Sequence, residues 1–181
     1  FIEEKKLIFL DAPTGTGKSI IGYMIHYCYF WINNKLKDLN NDSSIITETT
    51  TYTLTSSKIL QEQLENDFNN FNMLDHFTML KGQANYECTK GTKENNTYTA
   101  YPDRSCKGMK KDQLENLDCF NTCGYIQKRM QASMAPSAVV NYAYFLTIMN
   151  AKFSPYFGPR ELVIADEGHL VPQIVTGMFN I

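Results

Sequence analysis

Apolar positions along the chain fall into short runs separated by polar connectors, and the runs alternate between strand and helix signatures. Leu7-Ile8-Phe9-Leu10 suits a buried parallel strand, and Ile20 to Ile25 reads as the start of a buried helix ending near Leu39. Asn40-Asn41-Asp42-Ser43-Ser44 is a polar linker rich in turn residues. Ile45 to Thr55, dense in Ile, Thr and Tyr, predicts a second strand. Between Ser57 and Phe68, Ile59, Leu60, Gln63, Leu64 and Phe68 recur at helical spacing, with Ser56 or Ser57 as the cap. From Lys81 to about Met134 the buried runs disappear, and Cys, Lys and Asn take over. Ala138-Val139-Val140 then resumes the buried-strand signature, Tyr142 to Met149 predicts a helix, Ser154 to Pro159 a turn-rich connection, and Glu161 to Ala165 a last strand. The alternation predicts an α/β fold with a parallel sheet. One domain is expected over 1–80 and 135–181, interrupted by a module at 81–134.

Two motifs bring chemistry to this frame. Ala12-Pro13-Thr14-Gly15-Thr16-Gly17-Lys18-Ser19 stands between the first strand and the first helix, the order a phosphate-binding loop requires. Gly15 and Gly17 allow backbone N–H groups to converge on phosphate oxygens, with Thr14 before them and Thr16 between them. Lys18 would reach the β- and γ-phosphates of a nucleoside triphosphate, Ser19 would offer its hydroxyl to Mg²⁺, and the helix would aim its positive end at the anion. At the other end of the chain, Asp166-Glu167-Gly168-His169 follows Leu162-Val163-Ile164-Ala165. Carboxylates there emerge at the carboxyl edge of a parallel sheet, where ligands of such sheets bind. Asp166 is the candidate Mg²⁺ ligand, and Glu167 the candidate base for the water that attacks the γ-phosphate.

Composition narrows the class without naming a partner. The chain has 181 residues, 43% of them hydrophobic, which suits a globular domain with a small insert. The longest apolar stretch, Ile20 to Ile32, is broken by His26 and is too short for a membrane span, so no membrane partner is expected. The chain lacks an initiating Met and stops soon after the second motif, so it reads as a fragment with further domains expected. A net charge of −2 gives no global argument for nucleic acid. Lys90, Lys93, Arg104, Lys107, Lys110 and Lys111 do gather within the interrupting module, as a solvated basic loop or a phosphate-contacting patch.

Cysteine placement is more telling. Cys28 falls in the apolar helix and reads as core. Cys88, Cys106, Cys119 and Cys123 all lie in the module. An ATPase works in a reducing, intracellular compartment where disulfides are uncommon, so metal ligation is the better reading. The spacing C-x17-C-x12-C-x3-C lacks the paired knuckles of most structural zinc sites. Spacing alone leaves an iron–sulfur cluster, zinc and unliganded thiols open.

These segments, in this order, resemble the iron–sulfur helicases of superfamily 2, the XPD/DinG family. Residues 10–19 look like its motif I, 55–64 like its motif Ia, and Ile164 to His169 like its DEAH motif II. Lys81 to Cys88 and Cys123-Gly124-Tyr125 are similar to the segments carrying the first and last cluster cysteines, and 139–146 to the strand and helix after the cluster. The chain departs at Gly168, where the family has Ala, and at Gly124, where it has Pro.

The resemblance implies a RecA-like P-loop NTPase domain with a small, mostly helical, cysteine-rich insertion. Cys88, Cys106, Cys119 and Cys123 would hold a 4Fe-4S cluster, Thr55 and Ser57 would contact the backbone of single-stranded DNA, and His169 would couple the nucleotide site to DNA. The implied activity is an ATP-dependent DNA helicase moving 5′ to 3′, with single-stranded and forked duplex DNA and a second RecA-like domain as partners. Its compartment would be cytoplasm, nucleoid or nucleus, or a host cell if the source is viral. Two rivals stay open: a DEAH-type RNA helicase with a zinc-binding cysteine module, and a docking module switched by nucleotide.

Overall fold

A computed structural model describes residues 7–11, 13, 16–40, 50–72, 74–88, 92–94, 97–99, 111–150, 157–158 and 160–179. Four parallel strands form its centre: β1 (Thr51–Thr55), β2 (Phe77–Met79), β5 (Ser137–Asn141) and β6 (Leu162–Ala165), in the order β2-β5-β1-β6. The α/β class with a parallel sheet is therefore as expected. Thr51 pairs with Ser137 on one side and Leu162 on the other, so the sheet is assembled from distant parts of the sequence.

The two central strands are covered on both faces. All five β1 residues are buried, as are Ser137 to Val140 of β5. Alternation sends their side chains to opposite layers. Tyr52, Leu54, Ala138 and Val140 join a core with Ile126, Ala132, Tyr142, Ile148 and Phe157. These residues bring α4 (Gly124–Met134) and α5 (Tyr142–Asn150) onto one face. On the opposite face, Val139 meets Tyr23 of α1 (Lys18–Asn40) and Leu64 and Phe68 of α2 (Lys58–Asn70), with Phe77 and Met79 of β2. Ser57 caps α2, accepting a hydrogen bond from the Leu60 N–H at 3.3 Å. α6 (Val171–Phe179) follows the last strand.

Segment 81–134 is not helical throughout. It carries an antiparallel pair, β3 (Thr92–Glu94) and β4 (Thr97–Thr99), before α3 (Lys111–Glu115) and α4. Leu114 of α3 and Cys123, Tyr125 and Ile126 at the start of α4 share the core that holds Tyr52 and Val140.

Arg160 ties the entry of β6 to this layer. Its guanidinium donates to the carbonyl oxygens of Ala132 (2.7 Å), Ser133 (3.2 Å), Ala135 (2.8 Å), Pro136 (3.2 Å) and Thr51 (3.0 Å), and it lies 4.9 Å from the centre of the Tyr52 ring. Carbonyls at the C-terminal end of α4, left without intrahelical donors, thus find a cation.

Three expectations fail at the other flank. Leu7 to Leu10 is not a strand, and these residues are 59 to 87% exposed. Only Tyr23 of the Ile20–Ile25 run is buried, and Cys28 is exposed, not core. The reason is positional: β6 is an edge strand, and among the described residues none pairs with its free side. Residues 45–49 and 151–156 lie outside the described residues. No described helix is long and apolar enough to cross a membrane.

Candidate functional site

Because all four strands run parallel, their carboxyl ends meet at one edge, which collects Thr55 at the end of β1, Asn141 at the end of β5 and Asp166 after β6. The start of α1 arrives there too. Thr16 turns back, its hydroxyl 2.7 Å from the Pro13 carbonyl, and Gly17 follows at φ +78°, a conformation L side chains rarely adopt. The Gly17 carbonyl accepts the first helical bond, from Ile21 at 3.0 Å, so Lys18 and Ser19 form the opening turn. N–H groups of that turn have no intrahelical acceptor. Thr14 and Gly15 lie outside the described residues.

What seats this helix is a close contact with β6. A Cβ added to Gly22 would stand 3.2 Å from Ile164 Cγ2, so the missing side chain lets helix and strand approach. The approach brings the two sequence motifs together: Lys18 Nζ is 4.0 Å from Glu167 Oε1, both side chains about a third exposed. His169 Nδ1 is 3.3 Å from Glu167 Oε2. Glu167 adopts φ +54°, ψ +41°, left-handed geometry uncommon for a non-glycine residue. Burial, followed by the neighbouring Glu167 charge, raises the Asp166 carboxyl above its usual range, with Lys18 acting in the opposite direction. A hydroxyl on Ser19 and a carboxylate on Asp166 are the hard oxygen donors Mg²⁺ prefers.

The other candidate residues are placed differently. Thr55 is fully buried, and its hydroxyl donates to the Ser57 carbonyl at 3.2 Å, while Ser57 spends its own oxygen on the α2 cap. Cys123 is the buried N-cap of α4, and its N–H donates to the Cys119 carbonyl at 2.7 Å. The arm leading to Cys88 reaches the same place, with the Tyr86 ring 5.6 Å from that of Tyr125. Cys88 and Cys119 are partly exposed, and Cys106 lies outside the described residues. Among the described residues, no three His, Cys, Asp or Glu side chains form a group able to hold a metal. The donor set suits a cluster chemically, but the three described thiols are not gathered into one.

Two residues at this edge were not among the candidates read from the sequence. Tyr142 donates its hydroxyl to the Asp166 main-chain carbonyl at 2.7 Å, and Asn141 Oδ1 accepts from the Tyr144 N–H at 2.8 Å, capping α5. An Asn before a helix is a cap signature that the spacing could have revealed. Tyr142 had none, because its role depends on a strand far away in sequence. No family model, curated protein or solved structure matches the chain.

Proposed function

We propose that this chain is the ATP-binding domain of an ATP-dependent DNA helicase of the XPD/DinG kind, a RecA-like P-loop domain. The observation that carries the reading is the meeting of Lys18 and Glu167 at the carboxyl edge of the sheet. In this state Glu167 occupies the lysine as a phosphate oxygen would. A triphosphate entering over Thr14 to Ser19 would take Lys18 for its β- and γ-oxygens and free Glu167 to orient and deprotonate water. Mg²⁺ held by Ser19 and Asp166 would supply neutralisation of the phosphate charge. Asp166 is partly desolvated, a setting in which a bound cation would favour the charged carboxylate.

DNA engagement and 5′ to 3′ movement rest on the resemblance. So does an arginine finger from a second RecA-like domain, a contribution of about 10³ to 10⁵ in rate on the related GTPase scale. Ser57 remains the candidate for a neutral backbone contact; Thr55 would need its hydroxyl released first. Cys88, Cys106, Cys119 and Cys123 would hold the 4Fe-4S cluster.

The test is Glu167→Gln in the full-length protein. DNA-stimulated ATP turnover is expected to fall at least about a hundredfold, the contribution typical of a general base, with nucleotide affinity kept. Unchanged turnover would end the hydrolytic reading. Iron and acid-labile sulfide near four each per chain are expected; stoichiometric zinc without sulfide would replace the cluster and favour the RNA helicase alternative.

A further inference from the structure

The turn after β6 is held at both main-chain polar atoms of Asp166. Its N–H donates to the Leu54 carbonyl of β1 at 2.9 Å, continuing the ladder one step past the strand. Its carbonyl accepts the Tyr142 hydroxyl at 2.7 Å. That carbonyl belongs to the peptide unit joining Asp166 to Glu167, and the plane of this unit sets φ of Glu167. A plane that rotated would carry Glu167 out of its left-handed conformation toward the regions a non-glycine residue prefers. The carboxylate would leave its place between Lys18 and His169.

Tyr142 is built to prevent this. It is the first residue of α5, directly after β5, and is 3% exposed, its ring in the core with Leu54 and Val140. Its hydroxyl therefore has little freedom to seek another acceptor.

We infer that Tyr142 is a positioning residue for the carboxylate turn, its hydroxyl locking the Asp166–Glu167 peptide so that Glu167 is presented from a conformation it would otherwise abandon. The inference rests on the proposed hydrolytic role of Glu167.

The experiment is a double-mutant cycle of Tyr142→Phe and Glu167→Gln in the full-length protein, reading ATP affinity and DNA-stimulated kcat separately. Tyr142→Phe keeps the ring and removes one oxygen. It is expected to lower kcat about tenfold, the scale of one lost hydrogen bond, with ATP affinity within about twofold. In the Glu167→Gln background it should cost nothing further, since the group it positions is already disabled. Wild-type kcat in Tyr142→Phe while Glu167→Gln is inactive would overturn the inference alone. An equal loss in both backgrounds would overturn it too, as would lost ATP binding, because either means that Tyr142 supports the fold and not Glu167. If Glu167→Gln itself turns over normally, the hydrolytic reading falls and the inference with it.

Discussion

One flank of the sheet is closed and the other is open. On the closed flank, β2, β5 and β1 are sandwiched between α1 and α2 on one side and α4 and α5 on the other, with Phe68 and Phe77 rings 4.3 Å apart and Val139 and Val140 fully buried. On the open flank, α1 shows Ile20, Ile21, Met24, Ile25, Trp31, Ile32 and Leu36 at 36 to 54% exposure, Leu7 to Leu10 are exposed as well, and among the described residues none pairs with the outer edge of β6. Both flanks carry large apolar side chains. An apolar run announces that a segment is suited to burial, whereas the strand order decides whether a neighbour is there to bury it.

The largest effect is expected where the closed flank is pinned. Arg160→Ala leaves five main-chain acceptors without their cation and should cost about 4 kcal/mol of unfolding free energy, read from the denaturant midpoint. Arg160→Lys should recover little, because a point charge cannot span the carbonyls that a planar fork reaches. Next comes a matched pair of substitutions. Phe68→Ala in the closed flank should cost about 3 to 4 kcal/mol by leaving a cavity, while Trp31→Ser on the open face should stay within about 0.5 kcal/mol. A Trp31→Ser cost close to that of Phe68→Ala would erase the contrast between the flanks.

A graded effect, at about 3 kcal/mol in total, comes from pH. His26 is fully buried on the inner face of α1, its Nδ1 2.8 Å from Thr51 Oγ1 and its Nε2 without a partner among the described residues. Burial, then the nearby His76 and Arg160 charges, lower it to about 4 from an ordinary value near 6.5. The unfolded chain therefore binds the extra proton between those values. Stability is fully present above about pH 6.5 and falls as pH drops toward 4, by about 1.4 kcal/mol per unit for this group. Unfolding midpoints measured across that window should show the slope, and His26→Gln should flatten it.

Much of the closed flank was legible. The β-prone Thr and Tyr leading to Thr55, the run at Ala138 to Val140 and the cap at Ser57 each state a local preference that tertiary packing then uses. β2 was not legible, since Phe77-Thr78-Met79 is too short to show a period, and its burial comes from β5 and α2. Arg160 gave no pattern either, because its acceptors come from a helix end and a strand start that only the fold brings together. At the candidate site, Lys18, Asp166 and Glu167 stood out as candidates by residue type and order. Their approach depends on Gly22 against Ile164, and the turn on Tyr142; neither follows from any local rule.

The strand order also sets a schedule for synthesis. Among the described residues β1 pairs with β5 and β6, and β2 with β5, so β1 has no partner in the main sheet until β5 is made. A ribosome adding about 5 to 20 residues per second would leave the nascent β1 without a neighbour for on the order of ten seconds while the intervening segment emerges. Pairings this remote also close slowly once both strands exist. The Thr-rich sequence of β1, with a hydroxyl at every second position, keeps that waiting strand wettable on one face, and so less prone to join the same strand of another chain before its own partner arrives.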